Sequence, residues 1–241
     1  MPGERAFKYL RNDSCRFILV TRMPDKADSS WFLNQKIRPR ITTIAQDAIV
    51  VIVNKENKDT SFSYKTLSGI LNGEIARWSQ VKAENDSGKI KVIFDHKESG
   101  IVRLIQDKFG KDQKLNKEFF ALHSELDVMD YVSKDLNAIG FISSKSLSDY
   151  SDSITQNLVK NIKVVWLSDE GKTGFYLPDQ SSIASGKYPL VRTIYALSRE
   201  ARSGLGTGFI AFMTADKGQR IILKAGLVPA VMPPRRIETY Q

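Results

Sequence analysis

An α/β fold follows from three observations. Short apolar runs of strand type recur along the 241 residues, and between them apolar positions fall at helical spacing in stretches closed by glycine. Alternation of this kind predicts a sheet with substantial parallel pairing, its helices packed on the faces. The third observation is Cys15, the single cysteine, which excludes a disulfide scaffold. The fold must therefore rest on a core, and a chain of about 250 residues buries roughly 70–75% of its unfolded surface.

The elements justify themselves in order. Glu4 to Leu10 reads as the end of a helix before a turn at Asn12-Asp13, and Phe17 to Val20 as a strand that stops at Thr21-Arg22-Met23-Pro24. Ala48 to Val53 is a continuous apolar run, as expected of a strand buried on both faces. Tyr64, Leu67, Ile70 and Leu71 lie on one helix face, ended by Asn72-Gly73. Ile90 to Phe94 is a strand, followed by the loop 95–100 and a helix carrying Ile101, Leu104, Ile105 and Phe109 up to Gly110. Ser124 to Asp127 is a capping signal for a helix with Val128, Met129 and Val132. Ala138 to Ile142, Ile162 to Leu167 and Leu190 to Leu197 read as strands, and one helical region runs from Gly208 to Ala225 with Gly226 as its C-cap.

Composition excludes several classes. Lys plus Arg number 36 against 27 Asp plus Glu, a net charge of +9. These charges are dispersed and interleaved with acids, as in Lys55-Glu56-Asn57-Lys58-Asp59, and the densest pair, Arg235-Arg236, lies in a proline-flanked tail. That is a solvated, anion-attracting surface and not the one-sided basic face of a nucleic-acid binder. Apolar runs such as Ala48 to Val53 fall far short of the ~18–20 residues of a membrane span. Glu4, Arg5, Lys8, Arg11 and Asp13 interrupt any apolar core of a secretion signal.

Catalytic signals are thin. His96 and His123 stand far apart and outside any metal-ligand spacing, no Gly-x-Ser-x-Gly elbow occurs, and Cys15 has no nucleophile context. Gly204-Leu205-Gly206-Thr207-Gly208 lacks the third glycine of a dinucleotide loop, because Phe209 stands there, and reads as a flexible entry to the last helix. Ser99-Gly100 is more informative. A helix N-terminus offers free N–H groups and the positive end of the dipole, glycine permits close approach, and Arg103 adds a guanidinium one turn on. The same Ser99 also reads as an ordinary N-cap. Thr21-Arg22, after a buried strand, is either a turn or a second anion point, at the kind of strand end where α/β sheets bind ligands.

Taken together, seven stretches form an ensemble in a fixed order: DSCRFILVTR from Asp13, DAIVVIVN from Asp47, LSGILNGEIARW from Leu67, IKVIFDHKESGIVR from Ile90, YVSKDLNAIGFI from Tyr131, YPLVRTIYAL from Tyr188 and GQRIILKAGLVPA from Gly218. The ensemble resembles the phosphate-binding periplasmic substrate-binding proteins of ABC transporters, particularly lipoprotein-like versions from Bacteroidetes-type bacteria. The resemblance implies a type II periplasmic-binding fold of two α/β lobes joined by hinge strands near Val53 and Tyr188. Residues 1–53 and 188–241 would form one lobe and 54–187 the other. It also implies a non-enzymatic receptor for phosphate or a similar oxyanion, without a cofactor and with an ABC permease as partner. Its location would be periplasmic or membrane-anchored, the only attachment being a lipid anchor upstream. By the same resemblance the ligand residues are Thr21 and Arg22 from the first lobe, and Ser99, Gly100, Ile101 and Arg103 from the second.

Three departures qualify it. The family's Ser-Gly-Thr is Ser-Gly-Ile here, so Ile101 keeps the backbone donor and loses a hydroxyl, which weakens binding by on the order of 1 kcal/mol. The family begins with a strand, a helix and a second strand that supply further donors. This sequence starts after them, so the resemblance implies an N-terminally truncated fold, with an open edge prone to pairing with another chain. Many members carry an aspartate where Arg22 stands. Selecting phosphate over sulfate needs an acceptor for the ligand proton, and Asp47 is the candidate, its alternative role being a turn or helix-end partner. The rival to a transport receptor is a sensor or interaction module of the same fold without a competent pocket.

Overall fold

A computed structural model describes residues 3–83, 88–110, 119–148, 153–200 and 202–233; the Arg235-Arg236 pair lies outside the described residues. The chain runs α1 (Gly3–Arg11), β1 (Phe17–Val20), α2 (Lys26–Asn34), β2 (Arg40–Asn54), β3 (Ser61–Phe62), α3 (Tyr64–Asn72), β4 (Lys91–Phe94) and α4 (Gly100–Phe109). It continues through β5 (Phe120–Ala121), α5 (Glu125–Lys134), β6 (Ala138–Ser143), α6 (Ser144–Ser148), α7 (Ser153–Val159), β7 (Ile162–Val164) and β8 (Trp166–Leu167). Then come α8 (Gln180–Ala184), β9 (Val191–Ser198), α9 (Leu205–Thr214), α10 (Asp216–Lys224) and β10 (Val228–Pro229). Two compact units result, Met1–Gln46 with Thr193–Gln241, and Asp47–Arg192, so β2 and β9 carry the chain from one to the other. No helix among the described residues is long and apolar enough to cross a membrane.

In the first unit β9 lies between β1 and β2, and β10 joins β2. β1 runs antiparallel to β9 from Phe17 opposite Ser198 to Val20 opposite Tyr195. α1 turns Ala6, Phe7 and Leu10 onto Ile18 and Val20 of β1, with Phe32 of α2 and Leu197 of β9 completing the cluster. Each fully buried Phe or Leu here contributes roughly 1.5–3 kcal/mol. A second cluster sets Ile210 of α9 on Ile44, Ala45 and Ala196. The helical region expected over 208–225 is two helices, broken at Ala215 by an extended ψ of 165°. Gly218 permits the close return of α10, because a Cβ there would lie 2.2 Å from the Phe212 carbonyl oxygen.

In the second unit β6 pairs antiparallel with β2 from Ile49 opposite Ser143 to Val53 opposite Ile139, and β7 also pairs antiparallel with β2. β4 is parallel to both β6 and β5, and β3 and β8 make a separate parallel pair. Parallel pairing is thus narrower than the sequence suggested, because the long β2 meets its neighbours antiparallel. The apolar run legible as Ala48 to Val53 lies within the buried part of this fifteen-residue strand, which also includes Ile44, Ala45, Asp47 and Asn54, and Val50 and Ile52 pack with Ile93, Val128, Met129, Val132, Ala138 and Ile142.

Gly140, mid-strand in β6, is where α5 approaches most closely. A Cβ built on it would sit 2.8 Å from Val128 Cγ1 and from Val132 Cγ2, and 3.0 Å from Ile52 Cγ1. Gly140→Ala is expected to destabilise the protein by about 1–3 kcal/mol through overpacking, read as a lower urea midpoint at unchanged slope. An unchanged midpoint would mean that α5 moves aside freely.

Candidate functional site

The N-terminus of α4 forms as its sequence foretold. Ser99 is the N-cap, with φ −71° and ψ 159°, and its Oγ accepts from Val102 N at 3.2 Å. Ser99 N–H donates to the His96 carbonyl and Arg103 N–H to the Ser99 carbonyl, so Gly100 and Ile101 hold the first-turn amides that none of these bonds engages. Ile101 points its side chain into the core, which explains why an apolar residue is accepted there. The capping role of Ser99 is therefore filled, and any anion-binding role falls to backbone amides, with Arg103 one turn further along.

In the first unit Thr21 and Arg22 follow the end of β1, as expected, but Arg22 is far from a free surface cation. Its side chain is 8% exposed, and Nη1 donates to Asp28 Oδ2 at 2.6 Å and to the Met23 carbonyl at 3.0 Å. The guanidinium carbon lies 3.8 Å from the Phe7 ring centroid, a cation–π contact. Asp28 is 1% exposed and also accepts from Arg11 at 2.5 Å. Opposite this clamp, neither Nε nor Nη2 has a hydrogen-bond partner among the described residues, although Glu4 lies in ion-pair range of Nη2 at 3.1 Å. A Cβ placed on Gly3, the first residue of α1, would be 3.8 Å from Nε, so this edge lies at the positive end of a helix.

Asp47 sits inside β2 and not in a turn, and its partners include Ser144, the first residue of α6, so the helix-end partnership offered as its alternative role is present. It is 2% exposed and accepts from Ser143 Oγ at 2.9 and 3.0 Å, from Ser144 Oγ at 2.9 Å and from Arg192 Nε at 2.8 Å, with Arg192 Nη2 2.7 Å away. Its carboxylate is thus fully engaged by its own unit. Sequence reading missed Ser143, Ser144 and Arg192, because the serine pair and the arginine lie in two stretches far from Asp47 and form no local motif with it.

Glu125, the first residue of α5, adjoins this cluster. Its Oε2 accepts from Ser143 N at 2.8 Å and from Ser146 Oγ. Burial pushes its carboxyl above the ordinary range, and the nearby Asp95 adds to the rise, while the two hydrogen bonds and Arg192 oppose it. A raised folded-state value means that the folded protein keeps a proton the unfolded chain has released. Stability should therefore fall as pH rises from the ordinary glutamate range of about 4 through the raised value. Glu125→Gln is expected to flatten that slope in urea midpoints measured across the window, and parallel curves for the two proteins would contradict it.

The glycine-rich segment 204–208 is more than a flexible entry. Glu200 accepts from Gly206 N at 3.2 Å and from Thr207 N at 2.7 Å, so the N-terminus of α9 already holds a carboxylate supplied by the chain. A Cβ on Gly206 would lie 3.0 Å from Glu200 Oε1, which is why glycine stands there. Among the described residues no group of three or more His, Cys, Asp or Glu could hold a metal ion.

Comparison with known proteins gives these arrangements a context. A sequence profile described as a PBP superfamily domain matches residues 4–217. The phosphate-binding protein PstS of Borreliella burgdorferi is 28% identical over 195 residues, covering 78% of this chain and 64% of that protein. The chain spans less than two thirds of the length of the curated relatives it matches. A Clostridium perfringens structure, described as a phosphate ABC transporter substrate-binding protein with bound phosphate, matches with a TM-score of 0.74 at 20% identity, covering 94% of this chain and 84% of that one. An ABC-type phosphate transport receptor from Vibrio cholerae matches at 0.70 and 21%, covering 93% and 84%. At such identities these structures establish the fold alone: mixed α/β with the architecture of the periplasmic-binding proteins. With the profile running over most of its length, the chain belongs to the family of PBP superfamily domains.

Proposed function

We propose that this chain binds phosphate or a closely related oxyanion as the solute receptor of an ABC importer, without catalysing a reaction on it. The observation that carries the reading is the buried Arg22 guanidinium, whose Nε–Nη2 edge, beside the first turn of α1, makes no hydrogen bond among the described residues. Such an edge matches an oxyanion in bidentate fashion, and the helix end adds a favourable potential. The N-terminus of α4, with the amides of Gly100 and Ile101 and the guanidinium of Arg103, offers a second set of donors. Thr21 is assigned to the ligand with Arg22, whereas Ser99 serves the site as the N-cap of α4. Asp47 is assigned a different task, orienting Arg192, because its acceptor sites are taken. β2 and β9 are the hinge strands of this receptor, its partner is an ABC permease, and it works outside the cytoplasmic membrane.

Relatives named as phosphate-binding proteins and fold neighbours described as phosphate transport proteins support the choice of ligand. Titration calorimetry with phosphate and with sulfate tests it. Saturable heat with phosphate is expected. No heat with either anion would overturn the transport reading and leave a sensor or interaction module of the same fold.

A further inference from the structure

The first unit leaves two neighbouring features without partners among the described residues. β1 ends its sheet: β9 pairs with one side of it, and no described strand pairs with the other. Ile18 and Val20 face α1, whereas Phe17 turns to the α9 side, and Leu19 follows it by alternation and stays 47% exposed. A cavity of about 450 Å³ opens along the strand, lined by Ala6 and Tyr9 of α1 and by Cys15, Phe17 and Leu19. α9 is the second feature. It buries Gly206 and Ile210 and exposes Leu205, Phe209 and Phe212 at 94, 47 and 44%. Their i, i+4, i+7 spacing makes them one apolar stripe. The ring centroid of Phe209 lies 5.9 Å from that of Phe17 and 6.5 Å from that of Phe212, so strand and stripe form one continuous surface.

We propose that this surface joins two copies of the chain in a closed dimer, β1 of one copy pairing antiparallel with β1 of the other. An unpaired edge presents a row of N–H and C=O groups that pairs readily with another chain. A single added strand would satisfy the edge and leave the α9 stripe in water. A second copy satisfies both at once. Antiparallel pairing of identical strands creates a two-fold axis perpendicular to the sheet, so each face meets the same face of the second copy. The two α9 stripes then meet on one side of the joined sheet, and the α1 helices stay on the other. Opposed residues of an antiparallel pair share a face, so only a register that opposes even with even and odd with odd numbers keeps like faces together. Centring on Leu19 would carry the 60% exposed Arg16 toward Arg22 of the second copy, setting like charges against each other. Centring on Ile18 sets that residue against its own copy and Phe17 against Leu19, an aromatic–aliphatic pair on the α9 side, while Arg16 meets only Val20. The axis therefore passes beside Ile18. Because the same surface is used by both copies, the assembly closes at two.

Dimerisation at this edge is separate from anion binding, and its test needs no ligand. Sedimentation velocity of the wild-type chain over a concentration series should show a shift to twice the monomer mass. Leu19→Lys and Leu205→Lys place a charge on the edge and on the stripe, and each should weaken association by about tenfold or more. Leu33→Lys, on α2 and 76% exposed, should leave it unchanged. Leu19 and Leu205 are already exposed, so urea midpoints close to the wild type should show that both variants fold. In a Cys15→Ser background, Ile18→Cys should give a disulfide-linked dimer on mild oxidation, because opposed residues of an antiparallel pair have Cα atoms about 4.5–5.5 Å apart, within reach of a disulfide. A wild-type chain that stays monomeric at its highest soluble concentration overturns the proposal. So does a dimer that survives both lysine substitutions, an assembly larger than two, or a dimeric Ile18→Cys protein that does not cross-link.

Discussion

Replacing Asp28 with alanine is expected to lower stability by about 3–5 kcal/mol, a loss typical of removing one partner from a buried ion pair. Asp28 is 1% exposed and joins two guanidinium groups, Arg11 at 2.5 Å and Arg22 at 2.6 Å. It also closes the capping box of α2, since its backbone N–H donates to Asp25 Oδ1 at 2.8 Å and its own carboxylate accepts from Asp25 N. Arg22 is nine-tenths buried and would be left with a charge that only the more exposed Asp25 and Glu4 partly balance. Arg11 is 28% exposed and can turn toward water, so Arg11→Ala should cost far less, within about 1 kcal/mol. Urea unfolding of the two variants tests this directly, because a comparable loss in both would show that the α1–α2 link and not the stranded Arg22 sets the penalty. In a ligand titration Asp28→Ala should also weaken phosphate binding, because the Nη1 side of Arg22 would no longer be held.

What could be read from the sequence follows from how locally each feature is encoded. α3 and α4 announce themselves through apolar spacing, the start of α4 through Ser99, and helix ends through glycines; Gly73 after α3 adopts φ 82° and Gly226 after α10 φ 83°, conformations that favour glycine. α2 left no comparable trace. Its buried side chains are Asp28 and Phe32, so one of its two inward positions is charged and no apolar stripe exists to detect. The first four residues of β2, Arg40 to Thr43, were likewise silent, because their sequence shows no clean alternation. The break between α9 and α10 was hidden by continuous helical composition, and it shows only in the structure, as the extended Ala215 and the crowding at Gly218.

At the site the division is similar. Ser99, Gly100 and Arg103 are neighbours in sequence, so their association was visible from spacing alone. The partners of Arg22 and Asp47 arise from tertiary packing. Whether a guanidinium is open or clamped depends on Asp28, Glu4 and Phe7, which lie on α1 and α2. Whether a carboxylate is free or saturated depends, for Asp47, on residues 96, 97 and 145 positions away.

Asp47→Ala is the second large effect, with an expected loss of about 3–5 kcal/mol, because it strands Arg192, whose side chain is 14% exposed, and removes the acceptor of two serine hydroxyls. The pair occupies a particular place: Asp47 begins the second compact unit and Arg192 ends it, so this ion pair ties β2 to β9 where the chain passes between units. A double-mutant cycle separates the two sources of the penalty. In Asp47→Ala/Arg192→Met no charge is left buried without a partner, and a methionine fills part of the space along β9. If the cost of the single variant is mainly the stranded guanidinium, the double variant should regain most of the lost stability, since well-packed apolar replacements of buried ion pairs are often close to neutral. If it regains none, the serine hydroxyls and the connection between β2 and β6 carry the energy. Phosphate titration of the double variant then gives an independent reading. An affinity near that of the wild type would agree with Asp47 serving the fold, whereas abolished binding in a stable double variant would return Asp47 to the ligand.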